Sequence, residues 1–136
     1  MSTRLQERVE KIQQLLEKLA IDSAKGSLIV VEGKKDHEAL RQLGVKGKII
    51  TAKTSPKSFL DVTIEIEKQP CPQIILLLDF DRRGKELTKR LAQHLETQRI
   101  KTNISYWKEL QAIIGRDVKD IEGLPTYLKT LNNKLT

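Results

Sequence analysis

Two stretches of this chain leave no polar face: residues 28–31 read Leu-Ile-Val-Val and residues 74–78 read Ile-Ile-Leu-Leu-Leu. An alternating strand can lie half in water, but an unbroken β-branched or leucine run needs cover on both faces. Segments with helical spacing supply that cover. Ala39, Leu40 and Leu43 mark a helix over residues 35–43, closed by Gly44. Lys48-Ile49-Ile50-Thr51 reads as a further strand. Ser55-Pro56 has the form of a helix start, with Ser as cap and Pro in the first turn, and Phe59, Val62, Thr63 and Ile66 follow at helical spacing. Leu87, Leu91 and Leu95 mark the helix after the 74–78 strand. Residues 100–107 read as a fourth strand, and residues 107–114 and 124–132 as short closing helices. Strands alternating with helices imply βαβ units and right-handed crossovers around a parallel sheet, an α/β fold.

Ahead of this pattern, Leu5, Val9, Ile12, Leu16 and Leu19 recur every three or four residues among Glu, Gln, Lys and Arg. They predict an amphipathic helix over about residues 2–21, ended by Lys25-Gly26. The heptads are too few for a coiled coil, so the helix is expected to pack on its own domain. The 136 residues suit one domain. The expected organisation is an N-terminal helix over 1–25 and an α/β domain over 26–136 that includes the closing helices.

Acidic residues stand where the two apolar strands end. Glu32 follows the first, and Asp79 and Asp81 follow the third. Ligands of open parallel sheets bind beyond the carboxyl ends of the strands, so neighbouring strands would bring three carboxylates to one rim. Residues two apart on an extended backbone point to the same side, and a hard divalent cation needs only one or two carboxylates besides phosphate oxygens and water. Gly33 and Gly84 leave room for close backbone approach, and Gly84 opens a helix whose N-terminus attracts phosphate. A Glu-Gly turn or an Asp-x-Asp loop is commonplace by itself. It is their placement after two apolar strands that points to a cation.

These residues carry a resemblance. Val31-Glu32-Gly33-Lys34-Lys35-Asp36 is similar to the V-E-G-x-x-D motif of the Toprim domain, and Asp79-Phe80-Asp81-Arg82-Arg83-Gly84 resembles its D-x-D-x-x-G motif. The resemblance spans roughly residues 26–110. Toprim domains are shared by topoisomerases, bacterial-type primases, OLD-family nucleases, RecR-type repair proteins and bacterial 5S ribosomal RNA maturases. The resemblance implies a Rossmann-like Toprim fold, a four-stranded parallel sheet between helices. It implies Glu32 as general acid or base in phosphodiester transfer, and Asp79 and Asp81, with Glu32, as ligands of Mg, or of Mn in its place. It gives Asp36 a supporting role rather than ligation. Arg83 stands where topoisomerases of the group carry a third acid, which is more like the primase and maturase versions. Tyr106 and Tyr127 have no separate domain on which to act as a topoisomerase nucleophile and are expected to pack. The length is similar to small stand-alone archaeal Toprim proteins, and residues 115–124 look like the end of a maturase-type domain, without the maturases' C-terminal region.

The net charge of +7 leans toward the second half, where residues 71–136 hold 12 basic and 8 acidic side chains. A basic surface favours a polyanion. Lys34, Lys35, Arg82 and Arg83, with Gly33 and Gly84, are the candidate phosphate-binding residues because they lie in the motif loops. Lys53 and Lys57 are candidates to extend that rim. His37 and His94 have no metal-ligand spacing and read as surface histidines, and Trp107 reads as core. Cys71 is the only cysteine, which excludes an intrachain disulfide and a thiolate zinc cage. No apolar run is long enough to span a bilayer, and a cytoplasmic protein with no membrane partner is expected, as monomer or dimer.

The expected function is Mg-dependent phosphodiester chemistry on nucleic acid, first as a nuclease, with RNA favoured over DNA as partner. The alternatives are a non-catalytic adaptor that binds nucleic acid or an RNA-processing or repair complex, and, third, primase-like nucleotidyl transfer.

Overall fold

The computed structural model describes residues 3–53 and 58–136. Four strands form one parallel sheet: β1 (Leu28–Val31), β2 (Ile49–Thr51), β3 (Ile74–Leu76) and β4 (Thr102–Asn103), in the order β2-β1-β3-β4. The two unalternating apolar runs take the two central positions, paired through Leu28↔Ile74, Ile29↔Ile75 and Val30↔Leu76. Their residues alternate between two cores. Ile29, Val31, Ile75 and Leu77 face one; Leu28, Val30, Ile74, Leu76 and Leu78 face the other. Every one of these side chains is buried, which is why neither run has a polar position.

Among the described residues six helices cover the sheet: α1 (Thr3–Ala24), α2 (Lys34–Gln42), α3 (Phe59–Glu67), α4 (Arg82–Thr97), α5 (Ser105–Ile114) and α6 (Leu124–Leu135). Residues of α1, α2, α5 and α6 fill the first core, and residues of α3 and α4 fill the second. The result is the three-layer α/β sandwich expected of a Toprim domain. The stripe of α1 is buried at Val9, Ile12, Leu15, Leu16 and Leu19, and the helix packs on α5 and α6. It runs to Ala24, three residues beyond the expected end, and Gly26 turns the chain with φ +103°.

Two strand boundaries differ from expectation. The fourth strand is two residues, not eight. Asn103 Oδ1 accepts from both the N–H (2.8 Å) and the hydroxyl (2.7 Å) of Ser105, and the chain enters α5 there. Tyr106 and Trp107 therefore lie on a helix, buried as expected. The β3 ladder stops at Leu76, although the Leu77 N–H still donates to Val30 O (2.8 Å). The expected start at Ser55-Pro56, like Lys57, lies outside the described residues. The described α3 follows Ser58, whose hydroxyl accepts from Asp61 N while Asp61 Oδ2 accepts from Ser58 N, a reciprocal cap.

Candidate metal centre

Adjacency of β1 and β3 settles where their terminal acids go. Glu32, Asp79 and Asp81 each bring a carboxylate oxygen to within 4.8 Å of the others, with Glu32 buried, Asp79 half-buried and Asp81 exposed. Hydrogen bonds fix the cluster. Glu32 Oε1 accepts from Asp79 N (3.2 Å), tying the two strand tips together. Asp81 is the N-cap of α4, its Oδ1 accepting from Gly84 N (2.7 Å). The closeness of Gly84 is with the chain itself: a Cβ there would sit 2.0 Å from the Asp79 carbonyl oxygen. Gly33 is different, because a Cβ there would meet only Asp36 Oδ2, at 3.8 Å.

The third acid is left unsatisfied. Asp79 Oδ1 is buried and has no hydrogen-bond partner, a costly state for a carboxylate. Burial first, and then the neighbouring Glu32 carboxylate, push the Asp79 carboxyl up to about 8. Lys53, in the segment after β2, reaches the cluster and places Nζ 2.8 Å from Glu32 Oε2. That hydrogen bond raises the ammonium's pKa above its ordinary value. Lys53 is the cation hydrogen-bonded to the cluster, and it takes Glu32 rather than Asp79. The donors are all hard oxygens, the set that suits Mg or Mn rather than a thiophilic metal. The residues therefore fit a divalent cation, with the Asp79 oxygen waiting for a partner.

Asp36 is buried and turned away from this cluster of three. Its Oδ2 accepts from Gly33 N (3.0 Å) and its Oδ1 from Glu122 N (2.8 Å), while burial raises its pKa. It joins the first motif to the segment between α5 and α6. The same segment holds the second motif, since Phe80 N donates to Lys119 O (2.7 Å). This brace had no local signal beyond the likeness of residues 115–124 to a maturase-type domain end. It also gathers a second acidic group, Asp36, Asp120 and Glu122, whose members are taken up by backbone N–H groups and Lys35.

Among the cations of the motif loops, Lys34 is exposed, Lys35 stands 3.9 Å from Glu122, and Arg82 donates to Glu86 (3.3 Å). Arg83 lines a recess of about 240 Å³ with Lys53 and Arg90 beside the cluster. His94 pairs with Glu67 of α3 at 3.5 Å. Among the described residues, no helix is long and apolar enough to cross a membrane.

Comparison with known proteins agrees with this fold. The Toprim domain family matches residues 27–108. The UPF0292 protein of Methanosarcina acetivorans is 35% identical over 93% of this chain and 86% of its own length. That of Methanocaldococcus jannaschii is 37% identical over 92% of this chain and 95% of its own. A solved protein from Aquifex aeolicus shares the fold, with a TM-score of 0.66 at 24% identity over 80% of this chain and 94% of that one.

Proposed function

Because the chain belongs to the Toprim domain family, and within it to the UPF0292 proteins, we propose that it hydrolyses phosphodiester bonds of nucleic acid with a bound divalent ion, acting on RNA before DNA. The observation that carries this reading is the buried, unpartnered Asp79 Oδ1 inside a cluster of three carboxylates at the strand tips. A purely structural acid would be hydrogen-bonded there or replaced by an apolar residue.

In this reading Asp79 and the free oxygen of Asp81, with Glu32, would hold the ion, and Mg or Mn bound there would supply charge neutralisation to the phosphate. Glu32 takes the proton of the attacking water as the water oxygen bonds to phosphorus, and the ester oxygen whose bond to phosphorus breaks leaves as a hydroxyl, protonated from solvent; Glu32 Oε1 is positioned by Asp79 N and its Oε2 by Lys53. Lys53 holds Glu32 Oε2 in place, and with Arg83 it presents positive charge to the substrate phosphate. Asp36 keeps the first motif loop in place and touches neither ion nor substrate. Gly33 and Gly84 set the loop paths, and Lys34, Lys35 and Arg82 are the more distant phosphate contacts.

The test is incubation of purified protein with labelled RNA and DNA, single- and double-stranded, with Mg, with Mn and with chelator. Cleavage that needs the ion and falls at least ~100-fold in Glu32→Gln and Asp79→Asn is expected. Cleavage that survives both substitutions contradicts the proposal, and salt-dependent binding without turnover favours the adaptor reading.

A further inference from the structure

Beside the carboxylate cluster, on the other flank of α4 from the Lys53–Arg83 recess, lies a groove of about 470 Å³ between the start of α4, α5 and the segment that follows α5. Its floor is Phe80, the residue between the two motif aspartates, and its walls carry Lys85, Lys108, Arg116 and Lys119. No acidic residue lines it. The four cations are exposed. None of them has a carboxylate partner among the described residues, in contrast to Arg8, Lys35, Lys53 and Arg82.

The acids of the same segments are all turned elsewhere. Glu109 faces a different recess, with Lys11 and Lys18 of α1. Asp117 accepts from Tyr127 Oη (2.8 Å) and pairs with Arg8 (3.4 Å). Asp120 accepts from Gly123 N (2.8 Å), and Glu122 faces Lys35. A solvated lysine-rich surface would carry mixed signs. Here the folded chain sorts the signs, so that one groove carries only cations among its charged residues and includes Phe80 of the second motif loop. Its wall is fixed to the metal loop by the hydrogen bond from Phe80 N to Lys119 O.

We propose that this groove is the track for the sugar-phosphate backbone of the nucleic acid on its way to or from the carboxylate cluster. The proposal rests on the function proposed above and adds where the strand lies. Backbone contacts carry no sequence information, so the groove binds any sequence. Its share of the affinity falls with salt in proportion to the phosphates it neutralises, about 0.7 per contact for a single strand and about 0.9 for a duplex on logarithmic axes.

The experiment is fluorescence anisotropy of a labelled oligonucleotide, as single-stranded RNA, duplex RNA and the matching DNAs, titrated with protein in chelator across a salt series. The proteins compared are wild type, Lys108→Gln, Arg116→Gln, their double variant, Glu32→Gln, and Lys129→Gln on α6 as a control. Each groove substitution is expected to weaken binding roughly fivefold and to lower the salt slope by about 0.7–0.9, with the double variant adding the two. Lys129→Gln is expected to bind within about twofold of wild type with the slope intact, and Glu32→Gln is compared for cleavage only. Unaltered slopes in the groove variants overturn the proposal, and so does wild type that binds no oligonucleotide at low salt. Equal, groove-dependent binding of polyglutamate also overturns it and would make this a site for an acidic protein. Groove variants that bind and cleave like wild type refute the track and leave the metal reading standing. Groove-dependent binding with no cleavage under any ion refutes the nuclease reading and leaves the track.

Discussion

Asp79 Oδ1 is buried without a hydrogen-bond partner, beside the Glu32 carboxylate. Its carboxyl therefore titrates at about 8 rather than at the ordinary 3.8. The sign of the linkage follows. Between those two values the ion-free native state holds a proton that the unfolded chain has lost, so stability falls as pH rises through that window. A divalent ion takes the proton's place. The thermal stabilisation given by Mg should accordingly grow from about pH 6 to about pH 8 and level off above it. Asp79→Asn removes the buried charge, so the ion-free variant should lose less stability than wild type over the same range. It should also lose the Mg-induced rise. Thermal denaturation with and without Mg across that range checks both. A pH-independent Mg effect, or one retained by Asp79→Asn, counts against Asp79 as the ligand. The half of the site that sequence alone made legible is this residue scale. Glu32, Asp79 and Asp81 were readable from their places after apolar strands. Lys53 on Glu32 was visible only as a rim candidate, because 21 residues and a whole strand separate the two in the chain.

At the scale of elements, α4 is locked to the metal loop at its first turn. Gly84 packs against the Asp79 carbonyl, and its N–H is taken by Asp81 Oδ1. Gly84→Ala would drive a methyl into backbone that cannot yield, so it should cost about 2–4 kcal/mol in urea denaturation and displace Asp79. Gly33→Ala, with only an ordinary van der Waals contact at its Cβ and an extended φ of −138°, should cost under about 1 kcal/mol. Equal costs at the two glycines would mean that the motif loop is not held as described. Element type was legible wherever apolar spacing was long and regular, as in α1 and α4. The strand expected over residues 100–107 forms only at Thr102–Asn103. There the side chain of Asn103 captures Ser105 and begins a helix, a local hydrogen bond that outweighs strand propensity.

On the scale of the whole molecule, what decides function is which distant segments meet. The order β2-β1-β3-β4 places the first and third strands at the centre and makes their acids neighbours. Alternation of strands and helices implied a parallel sheet but left strand order open, so the cluster remained conditional until the topology was known. The segment between α5 and α6 closes over both motif loops through Asp36 and Phe80. It also brings Arg116 and Lys119 beside Lys85 and Lys108. No spacing rule joins residues from three separate stretches, so the net charge of +7 was readable and its sorting into one groove was not.

The most direct measurement is anomalous scattering from crystals of the protein grown with Mn. The account predicts one strong peak between Glu32, Asp79 and Asp81, within bonding distance of the Asp79 and Asp81 carboxylates. An empty gap with Lys53 still on Glu32, or Mn seated only at Asp36, Asp120 and Glu122, would contradict it.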